Sequence, residues 1–347
     1  MSGYILGVQK HHNPSVCLLN KDDIVYFNKE EKLTNKYESS GFPIKCLEEV
    51  KKITLDIDML GITGYNFSED DDYLWVLFLK NMGFKIKKVT NFYKPHHISH
   101  LFKSFPDSKF QDALVIVWDG RGSSYTLSNG SHVYETTSVF SITNNHYECI
   151  YKRLQASKEE DTNYEVKHND FHSLNPHINL WLIDSKTHID IKTNIDIGHL
   201  YLGCAHLIGL THKECGNVMH LSTLGSVDST IPSLTETENG LIYIDKNICD
   251  YNLNFKLSNL EIVKKNPNNF FHHIQKAVEQ IGVNFVKTML DKTKHKNLVL
   301  CGGVAYNSLL NNKIIETFPD INVFVDPICG DEGNSIGVAR MCALTYN

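Results

Sequence analysis

The residues of this 347-residue chain best suited to chemistry are histidines at a helix start and aspartates and glycines at strand ends. In Lys94-Pro95-His96-His97-Ile98-Ser99-His100-Leu101-Phe102-Lys103-Ser104-Phe105, proline supplies a preset φ for a helix start, and Ile98, Leu101, Phe102 and Phe105 follow at helical spacing. At about 100° per residue, His96 and His100 fall side by side on the face opposite that apolar stripe. Two imidazoles one turn apart can chelate a metal ion; the same spacing also describes two solvated histidines on an exposed face. Towards the C-terminus, residues 297–301 read as a buried strand, Gly302-Gly303 as a tight turn and residues 304–317 as a helix. Glycines let the backbone approach a ligand and a helix N-terminus offers free N–H groups, so phosphate or a nucleotide fits there. A further strand, 321–325, leads into Gly330-Asp331-Glu332-Gly333-Asn334-Ser335-Ile336-Gly337 and a last helix. Asp331 is placed either to reach into a cleft or to cap that helix.

These residues need elements that bring them together. Residues 4–8 form a short apolar run followed by a polar loop, 9–14, and then a hairpin from 15–20 and 24–28 about the turn Lys21-Asp22-Asp23. The same order returns about 110 residues later: an apolar run at 113–118, the loop Asp119-Gly120-Arg121-Gly122, and a hairpin from 123–127 and 132–136. A repeat of that length is too long for a solenoid. It implies two copies of one α/β subdomain facing each other across a cleft, with the loops at the strand ends turned towards it. Between the copies, 45–52 and 73–82 read as helices and 59–64 as a strand. Residues 144–200 are polar, histidine-rich and turn-rich with one apolar strand near 180–183, and read as an insertion or lid or as a plain surface excursion. Helices are expected over 198–210, before a turn at 212–216, and over 268–294, where Phe271, Ile274, Val278, Ile281, Phe285 and Met289 make a core face.

Composition narrows the function classes. The 41% apolar and 21% charged residues are those of a globular protein with a buried core. Lys plus Arg number 34 against 40 Asp plus Glu, a net charge of −6, so no basic excess advertises duplex DNA or an anionic membrane. The N-terminus lacks the layout of a secretion signal, and no run nears the ~20 apolar residues of a membrane helix, which makes the cytoplasm the expected location. The nine cysteines are scattered without a CxxC pair and are expected to be reduced, Cys17 and Cys301 buried.

Six motifs in order resemble the O-carbamoyltransferases of the NodU, CmcH and TobZ type. They are Gly7 with His12-Asn13-Pro14-Ser15; Glu30-Glu31-Lys32-Leu33-Thr34 through Lys36 and Ser40-Gly41-Phe42-Pro43; His96-His97-Ile98-Ser99-His100; Val117-Trp118-Asp119-Gly120; Gly302-Gly303-Val304-Ala305-Tyr306-Asn307; and Gly330-Asp331-Glu332-Gly333. The resemblance covers nearly the whole chain and is faintest over 144–200. It implies the ASKHA, actin-like architecture: two duplicated ribonuclease H-like subdomains, 1–110 and 111–347, around a nucleotide and metal cleft. It also implies iron, or another divalent transition metal, held by His96, His100, Asp119 and Asp331, a mixed N/O set that leaves positions for substrate oxygens. His97 falls outside that set and is left to orient the site or point at substrate.

The activity the resemblance implies is transfer of a carbamoyl group, from a carbamoyl-adenylate made from carbamoyl phosphate and ATP, to a hydroxyl of a small acceptor such as a sugar, an antibiotic or a hydroxymethyl-pyrimidine nucleotide. His12 is the implied catalytic group for the hydroxyl proton or the developing oxyanion. Lys36 would pair with phosphate, and Gly302, Gly303, Asn307 and Gly330 would hold the adenylate. A loop histidine with a structural role and a solvated lysine are the plainer readings of His12 and Lys36.

The chain also departs from the pattern. Where the family has a GKxMGLAxYG-like segment, this chain has Gly216-Asn217-Val218-Met219-His220-Leu221-Ser222-Thr223-Leu224-Gly225, and Lys10 stands where some relatives carry an acid. Typical members continue into a YrdC-like domain that makes the adenylate, whereas this sequence stops at Asn347: either a separately encoded YrdC-like partner supplies the adenylate, or the chain is a fragment, or the activity has drifted. Two other functions fit less of the pattern: a threonylcarbamoyl-transfer enzyme acting on tRNA, and a non-catalytic nucleotide-binding subunit.

Overall fold

A computed structural model describes residues 3–36, 40–64, 69–90, 92, 95–127, 129–158, 162, 187–211, 214–249, 253, 255, 261 and 263–345. The first half contains β1 (Tyr4–Gln9), β2 (Ser15–Asn20), β3 (Asp23–Lys29), α1 (Ile44–Lys51), β4 (Asp56–Thr63), α2 (Glu69–Asn81), β5 (Lys85–Thr90) and α3 (His96–Ser108). The second half begins with β6 (Ala113–Trp118), β7 (His132–Thr143), β8 (His146–Ala156), β9 (His188–Lys192), α4 (Ile197–Leu207) and α5 (Gly216–Thr223). It is completed by α6 (Pro267–Thr293), β10 (Asn297–Cys301), α7 (Ser308–Thr317), β11 (Asn322–Val325) and α8 (Asn334–Leu344).

The two main sheets repeat one another strand for strand. The first has the order β3-β2-β1-β4-β5 and the second β9-β8-β7-β6-β10-β11. In each, two antiparallel pairings on one side of the central strand meet two parallel pairings on the other. The central strands are apolar but for Gln9 at the end of β1, because both of their faces are covered: every residue of β6 is buried, as is β1 from Ile5 onwards. The expected duplication is therefore present, and β9 is an addition at the edge of the second sheet, parallel to β8.

Three differences from the sequence reading bear on the site. Residues 146–156 are not part of an insertion: β8 is an interior strand paired with β7 and β9, and its polar residues Lys152, Arg153 and Gln155 are buried within the sheet. The strand expected near 180–183 lies outside the described residues. A boundary at 110/111 follows the repeat in the sequence but not the packing. The helix that ends the first half, α3, packs on β6 and β10 of the second sheet, and α8, which ends the second half, packs on β1, β2 and β4 of the first. These two helices also pack on each other, so both lie between the sheets in one core that includes Leu101, Phe102, Val117, Cys301, Ile336 and Val338. Their approach is close because Gly337 faces the Ser99 carbonyl, where a β-carbon would collide.

The cysteines are all free, Cys17 and Cys301 among those fully buried. Among the described residues no helix is long and apolar enough to cross a membrane.

Candidate metal and nucleotide site

The position of α3 overturns the picture of an exposed histidine face. His96, His97 and His100 are each at most 1% exposed. The helix has an apolar stripe as the spacing predicts, but its other face looks into the seam between the two sheets rather than into water. The start is as expected, with Pro95 at the N-cap position.

Around that seam four ligand-type side chains converge from three directions. His96 and His100 come from the first two turns of α3, Asp119 from the residue after β6, and Asp331 from the 3-10 turn Asp331–Gly333 that leads into α8. One ligand-type atom from each lies within 4.8 Å of the others, and all four residues are buried. His96 Nε2 is 2.8 Å from Asp119 Oδ2 and 3.2 Å from Asp331 Oδ1; the corresponding distances from His100 Nε2 are 3.8 and 3.5 Å. The backbone fixes Asp119 further: Gly120 N–H donates to its Oδ1 at 2.8 Å, and its own N–H donates to the Thr136 carbonyl at 2.9 Å.

The electrostatics of the cluster set burial against the attraction of unlike charges. Burial opposes ionisation of Asp331, yet His96 and His100 pull its carboxyl well below the usual range. Burial and Asp331 both oppose ionisation of Asp119, and the imidazoles still hold it low. Burial also disfavours a charged His96, but Asp331 and Asp119 together raise it well above the ordinary histidine value. Two buried carboxylates thus depend on positive charge held between them, and a divalent ion on two imidazoles and two carboxylates satisfies that demand; the donor set fits an iron-type metal.

The glycine loops surround this cluster. Gly302, at φ 84°, lies so close to the Trp118 carbonyl that no β-carbon fits. The next residue, Gly303, would put a β-carbon 3.2 Å from Asp119 Oδ1, so the turn runs directly beside the carboxylate. Gly330 stands over Tyr306 and Glu332. Asn307 has a different position from the one expected. The helix predicted over 304–317 is a 3-10 turn, Gly303–Tyr306, then a break, and Asn307 caps α7 by accepting from Leu310 N–H at 2.9 Å. Its amide also donates to Tyr201 Oη at 3.1 Å and Gln275 Oε1 at 3.0 Å, so Asn307 braces the second half rather than turning to the cleft.

His12 sits in the loop between β1 and β2, half-buried, between His11 and Asn13, which both have positive φ. Its Nε2 is 3.3 Å from Asn13 Nδ2. Ser15 Oγ anchors that loop to the terminal one by donating to the Glu332 carbonyl at 2.7 Å. Lys36 is exposed beyond the short helix Glu30–Thr34, and its side chain makes no hydrogen bond or ion pair with a described residue, so the structure does not bring it to the cluster.

Other residues at the site had no role in the sequence reading. Asn334 Nδ2 lies 3.3 Å from His100 Nε2. Lys29 Nζ reaches Glu332 Oε1 at 3.0 Å, and Tyr306 Oη also bonds that carboxylate, so Glu332 joins the first half to the second at the cleft. The signal for Asn334 was its place in the Gly330–Gly337 run; nothing local marks Lys29, whose partner is three hundred residues away.

Comparison with known proteins gives the family and the fold. A family model described as the carbamoyltransferase N-terminus matches residues 70–340, taking in the histidine helix and the Asp119, Gly302-Gly303 and Asp331 loops, while His12 and Lys36 precede it. An uncharacterized protein of Methanocaldococcus jannaschii, MJ1051, is 28% identical over 96% of this chain and 56% of its own length. This chain thus spans about half the length of such curated relatives. Full-length HypF in its phosphate- and nucleotide-bound form superposes with a TM-score of 0.54 at 15% identity, covering 98% of this chain and 55% of HypF. The Clostridium difficile activator of 2-hydroxyisocaproyl-CoA dehydratase with bound ADPNP gives 0.52 at 14% identity, covering 98% and 94%. The shared fold is the actin-like ASKHA architecture, and with its model matching more than half of the sequence, the chain belongs to the carbamoyltransferase N-terminus family.

Proposed function

We propose that this chain is the transfer part of an O-carbamoyltransferase, which moves a carbamoyl group from carbamoyl-adenylate to a hydroxyl of a small acceptor. The observation that carries the reading is the convergence of His96, His100, Asp119 and Asp331 beside Gly302-Gly303, within a chain of this family. ADPNP bound to the dehydratase activator, which shares this fold over nearly its whole length, and the nucleotide-bound form of HypF support an adenylate in the cleft of this chain. The donor would derive from carbamoyl phosphate and ATP, with a YrdC-like domain or partner making the adenylate.

The four side chains would hold iron or a similar divalent metal, which when bound neutralises phosphate charge and polarises the carbamoyl carbonyl. The chain's own residues do the rest. Gly302, Gly303 and Gly330 let backbone come close to the adenylate, and the carboxylates and imidazoles fix the site without needing to move, as preorganisation requires. The acceptor hydroxyl oxygen attacks the carbamoyl carbon, AMP leaves, and the hydroxyl proton goes to the His12 imidazole. Lys36 would have to swing in with its loop to meet phosphate, and we place it second to His12.

The test is a reaction of purified protein with a YrdC-like partner, carbamoyl phosphate, ATP and a panel of hydroxylated acceptors, followed by mass spectrometry. Carbamoylated product that disappears with His12→Ala is the expected result. Full activity in His12→Ala would remove that residue from the mechanism, and absence of any carbamoylated product across sugar, antibiotic and nucleotide acceptors would overturn the reading.

A further inference from the structure

His97 stands between two ligand candidates and is bound by neither. Its Nδ1 is 2.7 Å from Ser138 Oγ, and Ser138 Oγ also receives Lys152 Nζ at 2.8 Å. Lys152 in turn bonds the Glu135 carboxylate. These four residues, on α3, β7 and β8, are each at most 4% exposed. A lysine only donates, so Ser138 accepts from it. The serine hydroxyl can then donate to Nδ1, and the Glu135 carboxylate lies 3.8 Å from the same nitrogen.

Glu135 is the hub of the group. Its Oε1 accepts from Ser123 N–H at 2.9 Å and, more loosely, from His97 N–H at 3.4 Å, while Oε2 takes Tyr125 Oη at 3.2 Å as well as Lys152. Backbone bonds run the same way, from Gly122 N–H to the Glu135 carbonyl at 2.8 Å and from Glu135 N–H to the Ser123 carbonyl at 3.0 Å. A bulge in β7 between Glu135 and Thr137 gives that strand one extra residue, Thr136, whose carbonyl is the acceptor for Asp119 N–H. On the other side, the imidazole of His97 presses on Gly122, where a β-carbon would come within 2.7 Å of Nε2. One buried network therefore grips both the loop that carries Asp119 and the start of α3, whose first two turns carry His96 and His100.

We propose that His97, Ser138, Lys152 and Glu135 form a positioning device that sets the separation of the histidine ligands from Asp119 across the two halves. The inference rests on the metal-site reading given above. Groups that orient ligands from one layer out typically change metal affinity by about 10–100-fold when removed. A purely structural network would change stability and leave affinity alone.

Co2+ titration followed by its ligand-field absorption, alongside melting temperature, separates the two. Ser138→Ala uncouples His97 without stripping Lys152 of its carboxylate. The pair Glu135→Gln with Lys152→Met removes both buried charges together, which proteins tolerate better than removing one. The expected result is Co2+ affinity weaker by about tenfold or more in both variants with an altered absorption spectrum, restored in Ser138→Thr. Val286→Ala, a core change in α6 far from the network in the chain, should lower the melting temperature with Co2+ affinity unchanged. Affinities of Ser138→Ala and the double variant within about twofold of wild type would overturn the positioning role while leaving the metal site standing. Failure of the wild-type protein itself to bind Co2+ would overturn the metal-site reading and this inference with it.

Discussion

One face of α3 carries two polar clusters in succession, and they differ in how their charge is closed. Beyond His100 the same face continues with Lys103 and Asp107. Lys103 Nζ lies 2.8 Å from Asp326 Oδ1 and 2.7 Å from Asp107 Oδ2, and Arg340 Nη2 lies 2.6 Å from Asp107 Oδ1. Two permanent cations there meet two carboxylates, and Ser104 adds a hydrogen bond to Asp326. One turn earlier, Asp119 and Asp331 have only imidazoles for company: no lysine or arginine among the described residues bonds to either. The helix is the same, and although Asp107 and Arg340 are only half-buried, the main contrast is one of charge. The closed cluster fastens α3 to α8 and to the end of β11; in the open one the counter-charge rests on the imidazoles, His96 above all, which is where a divalent ion would sit on the proposed reading.

The largest test of that contrast is Lys103→Met. It leaves Asp326 buried without its cation and should cost about 3–5 kcal/mol of stability by chemical denaturation, with metal content per folded molecule unchanged. If Lys103→Met emptied the metal site, or if His100→Ala destabilised the metal-free protein as much, the division between the two clusters would fail.

Next in size is the response to metal. A divalent transition metal at about 100 times its dissociation constant should stabilise the wild-type protein by about 2.7 kcal/mol. That gain should vanish in Asp331→Asn and persist in Arg340→Met, read by thermal melting with and without chelator. A gain that survives in Asp331→Asn would place the ion elsewhere.

The smallest effect sharpens the comparison with a histidine outside both clusters. His199 in α4 is buried, and burial first, then Arg121, pushes its pKa down to about 4. The unfolded chain takes up that proton at an ordinary pKa near 6.5. The contribution of His199 to stability is therefore whole above about pH 6.5, declines as the pH falls and is lost below about 4. His199→Gln should flatten stability against pH across that window. An unchanged slope would show that other groups carry the acid sensitivity.

Much of this was legible in the chain itself. Types and spacings survive folding, so the β-hairpin of 15–20 and 23–29, the apolar run of β6, the long α6 and the adjacency of His96 and His100 on one helical face all followed from local periodicity. The repeat of strand, loop and hairpin gave the duplicated halves, and the glycines at Gly302-Gly303 gave the close turn.

Burial was decided only by tertiary structure. Local spacing tells which side chains share a face but not what that face meets, and α3 lies between two sheets, so a face that reads as solvated is interior. Asn307 read as the first turn of a helix and a ligand contact; its competing partners, Tyr201 and Gln275, come from distant elements, and they turn it into a cap and a brace. Lys36 and Lys29 are equally plain lysines in the sequence, yet Lys29 is the one whose ion pair joins the halves. The Glu135–Lys152–Ser138–His97 network needs a bulge in β7 and a helix from the other half, neither of which any run of residues announces. The sequence by itself determined the elements and the chemical kinds at their ends; the crossing of α3 and α8 between the sheets decided which of those kinds meet, because charge and hydrogen bonding act through space and the chain only orders them.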